Sequence, residues 1–204
     1  MRKSGTQVSR QRQAQGQGFT MKHPSSRGFF AYWDAKRGDA RAPDRIDIEP
    51  GAVRELLGDI FVLSCDNEAG YPFRVAGTRI SALLGRDLKN VSFPALFAPD
   101  ARREIEDLIS YVTEEMLAAI AGITATAEDG RTAHLELLLL PFNHRAHAPI
   151  SLTGSLAPFE DDLGTLRDFR LTSWRYLHRP EKLLPRALRK LAIARGFMVY
   201  EGLR

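Results

Sequence analysis

The residues of this 204-residue chain that could do chemistry are few and scattered. His134 and Glu136 stand at i and i+2, a spacing that shares one face of a strand and could begin a metal site. His144 and His147 follow close behind, but no motif fixes a third ligand, and no metal is expected. Cys65 is the only cysteine, which excludes an intramolecular disulfide and a multi-cysteine metal centre. At the end of an apolar run it reads as inert packing. Arg74 sits inside an alternating segment. A buried arginine there must pair, with the Asp47 loop or with Glu136, or else grip an anionic ligand through its planar fork. An acid–base pair would have to come from Asp59, Tyr71 and His134, which no motif assembles. Catalysis is therefore not expected.

The elements that must carry these residues follow from periodicity. Order is expected from Gly28, where Phe29, Phe30 and Trp33 share one side of a short helix that Gly38 ends. Pro50 opens a second short helix through Leu57. Strands are predicted over 58–66 and 71–77, joined by the turn-forming Asp66–Gly70. Short helices from Gly77 to Phe97 come next. A long helix follows from a cap at Asp100 to about Met116, with Ile105, Leu108, Ile109, Val112 and Met116 in one stripe. Strands are then predicted over 118–128, 132–141 and 149–157, the first two joined by Asp129-Gly130.

Two strands, a helical insert and three strands make an α+β fold, a five-stranded antiparallel sheet with short helices on one face. A cavity between the sheet and the Gly77–Phe97 helices would be lined by Phe73, Val75, Ile80, Leu84, Ile109, Leu137 and Leu152. Thr78 and Arg79 would stand at its rim and Arg74 nearby. On the back of the sheet Leu138 and Leu140 need a cover. The aromatic helix of the same chain, or of a second subunit, would supply it, so Phe29, Phe30, Trp33, Leu138 and Leu140 are the expected homodimer interface.

Charge is segregated. Residues 1–27 carry six basic and no acidic residues, residues 165–204 carry ten basic and three acidic, and the middle is −9 although the whole chain is +4. The high pI belongs to the ends, not to a nucleic-acid-binding body. Residues 1–27 are expected to be a disordered basic tail, with Met21 as a possible alternative start. Residues 28–160 are the folded domain. Residues 161–204 are expected to be a basic helical extension with Leu184, Leu188, Leu191 and Ala192 on one face, packing on the acidic body or binding an acidic partner or a membrane surface. No apolar run is long enough to span a bilayer, no secretory signal is expected, and a cytoplasmic location is expected.

Four segments are similar to a known pattern: Trp33-x3-Arg37-Gly38 with Pro43-x-Arg45-x-Asp47-Ile48-x-Pro50; Leu57-x2-Ile60-Phe61-Val62-Leu63; Phe73-Arg74-Val75-Ala76-Gly77-Thr78-Arg79-Ile80 with Leu84-Gly85-Arg86-Asp87-Leu88; and Glu136-Leu-Leu-Leu-Leu-Pro141-Phe142. Together they resemble the stand-alone PAS-like domains of short alphaproteobacterial proteins, over residues 28–160. The resemblance implies a non-catalytic sensory, regulatory or protein-interaction module. It would act by ligand or partner binding and homodimerisation, with no cofactor predicted and the ligand and signalling partner unspecified. The alternatives are a small cone-shaped α+β hydrolase or isomerase, and a nucleic-acid or membrane-surface binder acting through the basic ends.

Overall fold

The computed structural model describes residues 21–66, 68–144 and 149–177, and the backbone of 189–194 and 197–201. The first helix, α1 (Pro24–Arg37), opens on a proline suited to a first turn, and the Nδ1 of its N-cap His23 accepts from the Ser25 N–H at 3.2 Å. Lys36 and Arg37 complement the helix dipole at the other end, where Gly38 at φ 53 stops it. The helix thus begins before Gly28, because the cap lies at His23. The expected helix at Pro50 is a 3-10 segment, Pro50–Asp59, broken by a non-helical Val53.

The hairpin of β1 (Ile60–Ser64) and β2 (Phe73–Ala76) leads into α2 (Thr78–Leu84), a 3-10 turn (Pro94–Leu96) and α3 (Arg102–Glu115). Asp100 does not cap α3; the N-cap is Ala101, and Asp100 instead receives both Arg170 guanidinium nitrogens at 2.8 and 2.9 Å. The apolar stripe of α3 holds at Ile105, Leu108, Ile109 and Val112, which are buried, but Met116 leaves it: it is the left-handed C-cap and packs against the outer-face cluster instead. Then come β3 (Ala119–Ala127), β4 (Thr132–Pro141) and β5 (Ser151–Pro158).

The sheet does not stop at five strands. A sixth, β6 (Leu166–Tyr176), pairs along β3, and β7 (Arg189–Ala194) and β8 (Phe197–Glu201) extend it in the order β2-β1-β5-β4-β3-β6-β7-β8, every pair antiparallel. The expectation of a helical extension is corrected here: residues 189–194 and 197–201 are strands, while Leu184 and Leu188 lie outside the described residues. Strand β6 hides from a period-two reading because its register against β3 shifts twice. The shifts space its buried Leu166, Phe169 and Trp174 unevenly.

The sheet has a core on each face. On the inner face Phe61, Leu63, Phe73, Leu135, Leu137, Leu139, Phe169 and Trp174 pack under α2 and α3 with Ile80, Phe93, Ile105 and Ile109. On the outer face Ile60, Ile120, Leu138 and Leu140 pack under Phe29 and Trp33 of α1 and Val53.

Candidate functional site

The inner core is the place where the sequence puts a cavity, and rings occupy it. Phe61 lies 5.9 Å from Phe73 and 5.2 Å from Phe93 between centroids. The chain continues from Phe93 to Phe97 at 5.7 Å and to Phe169 of β6 at 6.0 Å. Phe73, Ile80, Ile109, Leu137 and Leu152 are fully buried in this cluster and Leu84 packs half-buried against it. Val75 does not join them; it is 54% exposed. The reason is a register shift between Val62 and Leu63, which pair with Val75 and Phe73 and leave Arg74 as the extra residue. The bulge turns Val75 to the other face. Arg74 is correspondingly exposed, not buried, and among the described residues its guanidinium reaches the Ser64 hydroxyl at 3.4 Å.

Polar groups at this core bond to one another. The Tyr71 hydroxyl and Ser110 Oγ are 2.9 Å apart, and Thr113 Oγ1 donates to the Ile109 carbonyl at 3.0 Å. Burial raises the Tyr71 phenol above its ordinary range. It pushes the Cys65 thiol up to about 12, the opposite of an activated nucleophile.

The outer face holds a different arrangement, a polar frame around α1. Buried Glu136 accepts from the backbone N–H groups of Lys22 at 2.7 Å and His23 at 2.9 Å. The carboxylate thereby answers donors at the entrance to the helix, where the dipole favours negative charge. Asp59, 4% exposed, accepts from Ser25 Oγ at 2.6 Å. It also takes a forked pair from Arg79, Nε at 2.6 Å and Nη2 at 2.8 Å. Burial alone would raise the Asp59 carboxyl, but the hydrogen bonds from Arg79 and Ser25 outweigh it and hold the group below the usual carboxylate range. Arg79 also donates to the Glu55 carbonyl at 3.2 Å. At the far end of α1 the Trp33 indole donates to the Pro141 carbonyl at 3.0 Å. Gly77 lets the strand-to-helix corner close, since a Cβ there would meet the Gly58 and Leu57 carbonyl oxygens at 2.2 Å.

The expected residues therefore divide. Arg79 and Thr78 are exposed on α2, and Arg79 faces Asp59 and the 3-10 segment rather than a cavity. Thr78 is the first residue of α2, after the N-cap Gly77. Phe29, Trp33, Leu138 and Leu140 are 1% exposed or less, covered within the chain, and Phe30 is half-buried against them. The covering helix is thus the chain's own. Asp59 and Tyr71 serve opposite faces of the sheet, and His134 is exposed on β4, so the three do not form an acid–base site. Among the described residues no three His, Cys, Asp or Glu side chains are grouped to hold a metal ion, and His147 lies outside them. The fastening of α1 by Ser25, Asp59, Glu136 and Pro141 escaped sequence reasoning. Its one local signal was the His23-Pro24 start.

Among the described residues no helix is long and apolar enough to cross a membrane. A family model described as PAS domain matches residues 21–157. A LOV protein from Rhodobacter sphaeroides is 13% identical with a TM-score of 0.41 and 51% of this chain covered; the chain spans 60% of that protein's length. The PAS domain of an HTR-like protein from Haloarcula marismortui is 19% identical, with 53% of this chain and 90% of that one covered and a TM-score of 0.40. The light state of the blue-light photoreceptor Aureochrome1 LOV is 12% identical, with 54% and 88% covered and a TM-score of 0.41. No curated protein matches the chain.

Proposed function

The chain belongs to the PAS domain family, and from that premise we propose that it is a non-catalytic sensory or regulatory module whose N-terminal helix reports binding. The observation that carries this reading is the attachment of α1. A 14-residue helix lies over an apolar strip of the sheet and is fastened by a handful of polar contacts at its ends. Such an element has two natural arrangements, docked and released, and a ligand or partner that favours one shifts their populations. The inner core would take an apolar or mixed small molecule, held where the rings of Phe61, Phe93 and Phe97 rearrange.

Homodimerisation and output to a separate protein in the cytoplasm belong to the same proposal. With Phe29, Trp33, Leu138 and Leu140 covered in cis, these residues support a dimer rather than form its contact, unless α1 exchanges between copies. Light scattering on the intact chain should give twice the 22.8 kDa mass of one copy, and a single-copy mass at all concentrations contradicts the dimer. A thermal-shift screen of small molecules on the same protein tests the binding reading. Selective binding to the native state raises the melting temperature. A hit that instead is turned over chemically contradicts the non-catalytic assignment.

A further inference from the structure

Helices α1 and α2 lie on opposite faces of the sheet, and one corner of the chain touches both. Strand β2 is an edge of the sheet, and Phe61 pairs with Ala76 at one end of its hairpin with β1. At that end the chain enters β1 from Asp59 and leaves β2 through Gly77 into α2. Ile80 is the buried residue of this seven-residue helix, and it stands in the inner core with Leu83 and Leu84 packed against the same cluster. So short a helix has little stability of its own, and its position depends on what those side chains rest against.

Arg79 precedes Ile80, points about 100° round the helix from it, and reaches over the 3-10 segment. Its Nε and Nη2 fork onto the Asp59 carboxylate at 2.6 and 2.8 Å, and Nη2 also donates to the Glu55 carbonyl at 3.2 Å. The guanidinium lies flat on Gly58, where an added Cβ would stand 2.8 Å from its Cζ. Asp59 is then shared between the faces. Its Oδ2 accepts from Arg79 and also, at 2.6 Å, from the Ser25 hydroxyl in the first turn of α1. A charged carboxylate that is 4% exposed is tolerated beside α1 while the guanidinium answers it. With Arg79 withdrawn, the charge keeps one hydroxyl partner. Release of α1 takes Ser25 away and returns that oxygen to water, so the released arrangement gains.

We propose that Arg79, Asp59 and Ser25 couple α2 to α1 around the edge of the sheet. A shift of α2 away from the inner core draws the guanidinium off Asp59 and favours release of α1. The inference rests on the reading that α1 has a docked and a released arrangement, and it names the residues through which the inner face biases them. Coupling of this kind is reciprocal, so whatever loosens α1 also loosens α2. Arg79 is a positioning residue in this account: it acts through Asp59 and touches no ligand.

Native hydrogen exchange of the α1, α2 and β4 amides in paired variants of the full chain tests the route. Ile80→Phe overfills the core under α2 and pushes the helix outwards. It is expected to speed exchange in α1 at least about fivefold, and to add nothing in α1 when Arg79→Ala is already present. The reverse arm uses Ser25→Ala, which removes one hydroxyl and leaves both cores intact. It is expected to speed exchange in α2, again only while Arg79 is in place. The coupling is overturned if Ile80→Phe speeds α2 and leaves α1 unchanged, or if it speeds α1 equally with and without Arg79. Should Ile80→Phe not fold, the Ser25→Ala pair decides alone, and unchanged α2 exchange overturns the coupling. Each of these results leaves the release of α1 standing. One opening free energy common to α1, α2 and β4 in every chain overturns that release as well, and the coupling with it.

Discussion

Asp59 concentrates the electrostatics of the helix seat. Its buried carboxylate is answered by Arg79 and Ser25, and the guanidinium is itself 55% exposed on its side chain. Arg79→Ala leaves a buried charge with one hydroxyl partner. The cost should be about 1–2 kcal/mol in urea denaturation, below the roughly 3–5 kcal/mol of a fully buried pair because water reaches the arginine. The pH dependence has a definite sign. The folded carboxyl is lowered, so the stability it contributes is present above the unfolded value of about 4 and is lost as pH falls through the still lower folded value. Asp59→Asn should therefore flatten the acid limb of the stability curve without changing its slope at neutral pH. Cys65 makes a second residue-scale case. With its thiol pushed up to about 12, alkylation should be slow at pH 8 and still rising above pH 10. A rate that levels off near pH 9 contradicts the burial argument.

At the scale of elements, Trp33 joins α1 to the sheet by packing and by one hydrogen bond. Trp33→Ala should destabilise by about 3–5 kcal/mol, the range for a large buried side chain. Trp33→Phe keeps most of the apolar contact but leaves the Pro141 carbonyl without its donor, for about 1–2 kcal/mol. Strand β6 is the other decisive element, since Leu166, Phe169 and Trp174 complete the inner core beyond the residues that the family pattern covers. Ending the chain at Pro158 should abolish cooperative unfolding, whereas a clean two-state transition in that fragment would show that β6 is an ornament.

How far the sequence could be read differs between these elements. The inner-face alternation of β4 from Ala133 to Leu139 and the stripe of α3 from Ile105 to Val112 were legible because those positions keep an undisturbed period, although the other face of β4 passes from exposed to buried where α1 covers Leu138 and Leu140. The bulges at Arg74 and along β6 broke the period, so Val75 was placed inside and β6 was not seen. The seat of α1 was only half legible. Its aromatic residues and Leu138 and Leu140 were found from hydrophobicity. The partners Ser25–Asp59, His23–Glu136 and Trp33–Pro141 lie 34, 113 and 108 residues apart in sequence, and no local pattern encodes such contacts.

For the whole molecule, the proposed function requires α1 to be a separately releasable part of the PAS domain, docked on the outer face of a sheet whose other face has its own core. Hydrogen exchange of the α1 amides against those of β3 and β4, in native buffer, tests it most directly. The predicted result is that α1 opens as its own unit, at least about tenfold more readily than the two central strands, and that Arg79→Ala speeds exchange in α1 while α1 stays the more readily opening unit. Exchange of α1, β3 and β4 with one common opening free energy, in both the parent chain and the variant, would contradict it.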